Sequence, residues 1–277
     1  MTFEKFHNRV VIEATLVAAT PIFIGARGDS FKPGEVNGAC VKDAYDRPYI
    51  PGSSLKGVLR AFLSSVPLEQ SSDSEDKIDD DGKKVIRKNT SDFLSKDKRD
   101  EEVRIAKKND KEKYQGKKDD EILAELILEA SSLVERLFGS PIMAGKVKIA
   151  DALPIEDHVA KEVRNGVAID RDTRTAQGGM LFDTEVVPAG TAFSFNASAE
   201  NLQPAEADLF SKLIEYFADG NITVGGRSRA GLGKVKLNNI AVTIHRAALG
   251  SFPLSEEIVC DKSGISIREA ICKCSQN

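Results

Sequence analysis

The segment RVVIEATLVAATPIFIG, residues 9–25, contains the pattern on which the fold prediction rests. Apolar residues alternate with other residues along its first part, which predicts a half-buried β-strand. The alternating apolar residues are Ile12, Ala14, Leu16 and Ala18. Because a strand with one apolar face must be covered by other elements, the order of elements after this strand decides the fold class.

Helical and strand-like patterns follow this strand in a regular order. After a loop rich in Gly and Pro (26–52), Ser53 and Ser54 are candidate N-caps of a helix. The apolar residues at helical spacing in this helix are Leu55, Val58, Leu59, Phe62 and Leu63. The later elements are a helix over 121–138, a strand over 146–151, a strand or bent pair of strands over 184–200, a helix over 206–218 and a strand over 232–245.

This order predicts an α+β protein with a ferredoxin-like (RRM-like) βαββαβ core, in which two helices cover one face of an antiparallel sheet. The helix over 121–138 and the long inserted loops are additions to that core. We expect the 277 residues to form a single domain, 1–277.

A charged insertion, residues 68–120, interrupts the predicted core. Its part 71–120 contains 15 acidic and 15 basic residues and very few aliphatic ones. Such a segment has little apolar surface to offset the entropy of ordering it. We therefore expect the charged insertion to be flexible and partly disordered.

Composition excludes several classes of protein. Hydrophobic residues make up 41% of the chain, enough for a core, but no segment approaches the roughly 20 apolar residues that cross a bilayer. Residues 1–10 contain no signal-peptide block, so a cytoplasmic protein with no membrane partner is expected. The cysteines are Cys40, Cys260, Cys272 and Cys274. We interpret them as free thiols, with zinc binding by the Cys272/Cys274 pair as the alternative.

The first informative motif is IPGSSLKGVLR, residues 50–60. A Pro-Gly turn leads into a helix whose first turn offers free backbone N–H groups and two hydroxyls, and such N-termini bind phosphate. Lys56 and Arg60 add positive charge one turn apart. The alternative is an ordinary capped helix with two solvated basic residues.

The second motif is GGRSRAGLGKV, residues 225–235. Its four glycines allow close approach to a ligand, and Arg227, Arg229 and Lys234 supply charge. A strand rather than a helix follows it, and it lacks the G-K-[ST] ending, so it is neither a dinucleotide nor a nucleoside-triphosphate loop. A basic hairpin for a phosphate backbone remains, with a structural glycine turn as the alternative.

The third motif is VAIDRDTRTAQGGMLF, residues 167–182, a polar loop between two strand-like runs. It ends in Met180 and Leu181, an apolar pair of the kind that can separate stacked bases. The alternative is a long exposed hairpin whose apolar pair rejoins the core.

Together these motifs resemble the RAMP superfamily, and within it the backbone subunits of type III CRISPR effector complexes. GGRSRAGLGKV resembles the glycine-rich loop typical of the superfamily, and RPYIPGSSLKGVLR resembles the helix entry of the backbone subunits. LFGSPIMAGKVKIADA and VAIDRDTRTAQGGMLFDTEVVPAGTAF are also similar to segments of that subfamily. The resemblance covers most of the chain outside residues 71–120.

The resemblance implies a subunit that binds crRNA (the guide RNA) and complementary target RNA, alongside copies of itself and other CRISPR effector subunits. A thumb hairpin, 168–184, would carry Met180 and Leu181 between guide and target. The implied RNA-binding residues are Ser53, Ser54, Lys56, Arg60, Arg171, Arg174, Gly225, Gly226, Arg227 and Arg229. RNA binding itself would need no cofactor.

Many members of this group cut target RNA with an Asp in the pattern I-D-x-x-V-x-K-D. The corresponding run here is VNGACVKD, residues 36–43, in which Asn37 stands at the Asp position. An amide cannot take up a proton or hold a divalent cation as a carboxylate does. We therefore favour a binding subunit without nuclease activity. The alternative is a Mg²⁺-dependent endoribonuclease in which Asp29 replaces the missing carboxylate.

Two further alternatives remain. A stand-alone RNA-processing endonuclease of the same superfamily would use a histidine, but His7, His158 and His245 all lie outside the motifs. A general RNA-binding module with paired ferredoxin-like folds would need exposed aromatic residues for base stacking, and the chain has no Trp and four Tyr.

Overall fold

The computed structural model describes residues 6–25, 38–67, 90–170, 172, 174–248, 251–259 and 266–275. Its strands are β1 (Asn8–Ala18), β2 (Val147–Ile149), β3 (Glu162–Ile169), β4 (Ala176–Val186), β5 (Ala192–Glu200), β6 (Val235–Ala248) and β7 (Ser251–Val259). Its α-helices are α1 (Gly52–Ser65), α2 (Lys96–Asn109), α3 (Lys111–Tyr114), α4 (Asp119–Ala130), α5 (Leu133–Phe138), α6 (Pro204–Ala218) and α7 (Ile267–Cys272).

The main sheet has five strands in the spatial order β2–β5–β1–β6–β7, and every neighbouring pair is antiparallel. The strand that opens the sequence, β1, therefore lies at the centre. Its Val10, Ile12 and Leu16 are fully buried, as the alternating pattern predicts. The pairing of β1 with β6 shifts register between Glu13 and Thr15, and this irregularity interrupts the alternation at the half-buried Ala14.

Helices α1, α5, α6 and α7 contribute side chains to the main core, and α1 and α6 contribute the most. Helix α1 contributes Leu55, Leu59 and Leu63, whose spacing places them on one side of the helix. Helix α6 contributes Phe210, Leu213, Ile214 and Phe217. Each fully buried side chain of this size stabilises the fold by about 1.5–3 kcal/mol. The prediction of a mixed α and β protein with an antiparallel sheet is confirmed.

A buried ion pair joins α6 to the start of β2. Lys146 Nζ lies 2.5 Å from Glu206 Oε2 and donates to the Asn201 carbonyl at 2.8 Å. The side chains of Lys146 and Glu206 are 2% and 1% exposed. Because both charges are out of water, removal of either partner would leave the other uncompensated.

The structure corrects one element boundary and decides another. The helix predicted over 121–138 is two helices, α4 and α5, because Ser132 and Glu135 form a capping box that starts a new helix. The strand or bent pair of strands predicted over 184–200 is the end of β4 followed by β5, so the paired alternative is the one observed. Strand β7 and helix α7 were not predicted at all.

The charged insertion also differs from expectation. Residues 90–130, here named the helical insertion, contain α2, α3 and α4 and a small apolar core of their own. This core consists of Phe93, Val103, Ala106, Tyr114, Ile122 and Leu126. Sparse apolar residues of 90–120 therefore pack together with α4 in a core that the composition did not predict, and the flexibility of the charged insertion stays a prediction. Residues 68–89 lie outside the described residues.

Strands β3 and β4 form a separate two-stranded antiparallel sheet. The thumb predicted at 168–184 lies within this hairpin. No helix among the described residues is both long enough and apolar enough to span a bilayer.

Candidate nucleic-acid interface

The second sequence motif forms a hairpin, named here the glycine-rich loop (residues 225–234). Its base is a bridge between Thr223 and Lys234, with Val224 N donating to the Gly233 carbonyl at 2.8 Å. Gly233 has a φ of 88°, and a Cβ there would lie 2.2 Å from the Val224 carbonyl oxygen. Only glycine fits this position without displacing the backbone.

The loop is fixed to the segment that follows β1. Gly226 N donates to the Phe23 carbonyl at 2.8 Å, and Gly233 N donates to the Pro21 carbonyl at 2.8 Å. Gly225 has a φ of 86°, and a Cβ there would lie 2.3 Å from the Phe23 oxygen. The glycines of the motif therefore allow two backbone segments to pack directly against each other.

The tip of the loop carries basic side chains. Arg227 has left-handed backbone angles (φ 58°, ψ 30°) and begins a 3-10 turn over Ser228–Ala230. Arg227, Arg229 and Lys234 are all exposed. Among the described residues, no carboxylate forms an ion pair with Arg229 or Lys234. The loop thus presents positive charge on a backbone that the fold holds in place.

The helix entry differs from its prediction. Pro51 is the N-cap of α1, so Ser53 and Ser54 lie inside the first turn and make no capping hydrogen bond. Gly52 N donates to Asp151 Oδ1 at 2.7 Å. One of the backbone N–H groups predicted to be free for phosphate is therefore already hydrogen-bonded to a carboxylate of the protein itself. Ser53 remains exposed and Ser54 half-buried.

The two basic residues of α1 have different surroundings. Lys56 is half-buried and donates to the Val147 carbonyl at 2.8 Å, at the start of β2. Burial, and then the positive charge of Arg60, lower the pKa of Lys56. Arg60 is exposed. Of this pair, Arg60 is the residue with its charge in solvent, and Lys56 fastens α1 to the sheet.

The third motif is a hairpin with a shorter loop than the sequence suggested. Strand β4 begins at Ala176, so Met180 and Leu181 lie within the strand and not at the tip. The tip is closed by Asp170 N, which donates to the Thr175 carbonyl, and by Arg174 N, which donates to the Asp170 carbonyl, both at 2.9 Å. Arg174 is exposed there with a φ of 56°. Arg171 lies outside the described residues.

Asn37 and Asp29 also lie outside the described residues, which resume at Gly38. Gly38 N donates to the Asp183 carbonyl at 3.2 Å, and Glu185 N donates to the Gly38 carbonyl at 2.9 Å. Glu185 Oε2 accepts the Cys40 N–H at 3.0 Å. Residues 38–40, which follow Asn37 in the sequence, therefore lie along β4.

The Lys and Asp of the V-x-K-D part of the motif have structural partners. Lys42 forms an ion pair with Glu185 at 3.0 Å. Burial opposes the charge of Lys42, but the hydrogen bond and the charge of Glu185 raise its pKa. Asp43 accepts from the Tyr45 and Arg47 backbone N–H groups at 2.9 Å and so closes the following turn.

Comparison with known proteins identifies the family. The profile described as "RAMPs: RAMP superfamily" matches residues 15–236, most of the chain. The chain belongs to the RAMP superfamily. It is also similar to the "CRISPR system Cms endoribonuclease Csm3" of Methanocaldococcus jannaschii, with 25% identity over 236 residues that cover 84% of this chain and 80% of that protein. The resemblance to the RAMP superfamily and to type III CRISPR backbone subunits, inferred from the motifs, is confirmed.

The RAMP match includes the glycine-rich loop, the α1 entry and the β3–β4 hairpin. The structure brings the loop together with residues 20–25 and the start of α1 together with the 146–151 segment. Asp151, Glu185 and Phe23 were not selected from the sequence, because a single carboxylate or aromatic carries no spacing signal.

The described part of this RAMP protein contains no candidate metal centre. No group of three or more His, Cys, Asp or Glu side chains there is arranged to hold an ion. Cys40 and Cys274 are buried free thiols, and burial raises the pKa of Cys274 to about 12. Cys260 lies outside the described residues.

Proposed function

We propose that this RAMP protein is a crRNA-binding backbone subunit of a type III CRISPR interference complex. The glycine-rich loop carries the proposal, because its hydrogen bonds to Pro21 and Phe23 hold exposed Arg227 and Arg229 on a fixed backbone. Phosphate contacts of this kind position RNA without reading its sequence. The similarity to Csm3 over most of both chains supports the same assignment.

The order of elements supports a ferredoxin-like core for this subunit. Strand β1, helix α1, strands β2 and β5, helix α6 and strand β6 follow one another along the chain as βαββαβ. In the sheet these strands have the order β2–β5–β1–β6, so each βαβ unit has one strand inserted between its two strands. The inserted helices, the β3–β4 hairpin and β7 are additions to this core.

The β3–β4 hairpin is the proposed thumb. It is a two-stranded sheet outside the main sheet, with Met180 and Leu181 in β4 and Arg174 beside its tip. In this proposal the hairpin enters the guide–target duplex, where the apolar pair separates neighbouring bases. Arg60 and Arg174 would add contacts to the phosphate backbone. Copies of the same subunit and other effector subunits would complete the path of the guide.

Target cleavage is the second candidate function. The name of the relative includes endoribonuclease activity. Asn37 argues against cleavage by this chain. Asp183 is exposed in β4, where its backbone carbonyl accepts from Gly38 N, and it is the carboxylate that we consider as a substitute. A Mg²⁺ ion would be needed only for this reaction, where it would stabilise charge at the scissile phosphate.

One experiment tests both candidates. The purified complex, loaded with guide and supplied with Mg²⁺, is incubated with labelled complementary RNA, for the wild type and for Asn37→Asp, Asp29→Ala and Asp183→Ala. A binding subunit holds the RNA without cutting it, and Asn37→Asp gains regularly spaced cuts. Cutting by the wild type that Asp29→Ala or Asp183→Ala abolishes would instead establish an enzyme with a relocated carboxylate.

A further inference from the structure

The ring of Phe23 lies directly beneath the arginine at the tip of the glycine-rich loop. The guanidinium carbon of Arg227 is 5.4 Å from the centroid of this ring. Phe23 itself is half-buried and packs against the main core. At this distance the electron-rich face of the ring attracts the cation and restricts its orientation.

Three glycines from separate segments surround the same ring. A Cβ at Gly25 would lie 3.1 Å from Phe23 Cζ, one at Gly38 would lie 3.4 Å from Cζ, and one at Gly226 would lie 3.2 Å from Cδ1. These distances are at or below ordinary van der Waals contact. The ring is therefore fitted between backbone segments that carry no side chains there, and its own position is closely defined.

The backbone carbonyl of Phe23 makes a second contact with the glycine-rich loop. Its carbonyl accepts the Gly226 N–H at 2.8 Å, one residue before Arg227. The left-handed backbone of Arg227 then turns the side chain back over the ring. One residue thus determines both where the loop begins and where its first cation lies.

We propose that Phe23 is the positioning residue for the RNA contact of Arg227. The ring restrains the guanidinium before RNA arrives, so less side-chain freedom is lost when a phosphate binds. An arginine side chain that is held in one place can direct its N–H groups at two oxygens of one phosphate. This inference rests on the proposed function, since it assumes that the loop binds RNA.

A double-mutant cycle on RNA affinity tests the inference. The full-length variants Phe23→Leu, Arg227→Gln and the combination are compared with the wild type for binding of a labelled single-stranded RNA, with the melting temperature of each measured in parallel. We expect Phe23→Leu to weaken binding about three- to fivefold when Arg227 is present. In the Arg227→Gln background it should cause no further loss, because the residue it positions is gone.

A second parent variant, Lys234→Gln, distinguishes positioning of Arg227 by Phe23 from a general effect of Phe23 on folding. Lys234→Gln removes another cation of the loop that does not lie over the ring, so Phe23→Leu should cost the same three- to fivefold there as in the wild type. Phe23→Met, which fills similar volume without an aromatic face, replaces Phe23→Leu if the latter lowers the melting temperature substantially.

Equal losses from the Phe23 substitution with and without Arg227 would overturn the inference, because Phe23 would then act through the fold alone. Unchanged affinity in the Phe23 variants would overturn it as well. If neither Arg227→Gln nor Arg229→Gln weakens binding, RNA does not contact this loop, and the proposed function fails along with the inference. A loss in the arginine variants without coupling to Phe23 would overturn the inference and leave the proposed function standing.

Discussion

The glycine-rich loop and the helical insertion both consist largely of charged and small residues, yet they hold their charges in opposite ways. In the helical insertion, Lys113 of α3 pairs with Glu129 of α4 at 3.0 Å, and Lys117, which lies between these helices, pairs with Glu125 of α4 at 2.6 Å. In the loop, exposed Arg229 and Lys234 have no ion-pair partner among the described residues. The insertion pairs these charges internally, whereas the loop leaves the charges of Arg229 and Lys234 exposed to solvent.

The two regions also differ in what fixes the backbone. The helical insertion has an apolar core of its own, with fully buried Phe93 and Ile122. The loop has no such core and depends on hydrogen bonds and on close backbone packing against Pro21 and Phe23. Small changes in the loop should therefore have large effects, and changes to the surface of the insertion should have small ones.

The largest effect is expected at Gly233. Gly233→Ala places a Cβ 2.2 Å from the Val224 oxygen at a positive φ, which should lower the free energy of unfolding by about 3 kcal/mol. Gly231→Ala is the matched control, since its φ is 82° but nothing lies within 4 Å of the added carbon. The control should cost only about 1 kcal/mol, from backbone strain alone. Urea denaturation of both variants measures the difference, and equal losses would mean that close packing does not fix the loop.

The next effect concerns RNA affinity. Arg227→Gln combined with Arg229→Gln should weaken binding of single-stranded RNA about tenfold, through lost charge-assisted contacts. The slope of log affinity against log salt should fall by about 0.7 for each lost phosphate contact. Arg104→Gln, an exposed arginine of α2, is the control and should leave both quantities unchanged. An equal loss in the control would show that RNA binding follows total charge and not the loop.

A stabilising effect is expected at Gly57 on the exposed side of α1. Its added Cβ would meet nothing within 4 Å, so Gly57→Ala should raise the free energy of unfolding by about 0.5–1 kcal/mol through helix propensity. Thermal denaturation measures this gain. A loss of stability would indicate an unrecognised contact at this surface, as would a loss of RNA affinity.

The smallest effect is expected within the helical insertion. Lys113→Gln removes an ion pair whose side chains are 41% and 60% exposed, so the free energy of unfolding should change by no more than about 0.5 kcal/mol.

Deletion of residues 71–120 is a separate test of the same region. The shortened chain should keep a cooperative melting transition of the main core, although the deletion removes part of the small core around Phe93. Loss of that transition would mean that the two cores fold as one unit.

Much of the main sheet could be predicted from the sequence because its signals are local. The alternation through Ile12 and Leu16 and the helical spacing in α6 directly reflect one buried face. The core of the helical insertion was missed because its apolar residues are far apart in a charged segment and meet only across helices. The break between α4 and α5 had a visible signal, Ser132-x-x-Glu135, which the continuous apolar pattern concealed.

Some residues of the candidate interface could also be predicted from local sequence signals, and others could not. Gly225 and Gly233 could be selected because a cluster of glycines beside arginines implies close backbone approach. Phe23 could not be selected, since its importance depends on contacts with residues distant in sequence. The prediction of free donors at the start of α1 was incomplete for the same reason, because Asp151 is almost a hundred residues away from Gly52.

Ultraviolet cross-linking of the guide-loaded complex, followed by mass spectrometry of the RNA-linked peptides, shows directly which residues contact the guide. If the glycine-rich loop binds the guide, we expect cross-links in residues 225–234 and none in the exposed faces of α2 and α3. Cross-links confined to α2 and α3, with the loop unmodified, would contradict the central claim that the loop grips the guide.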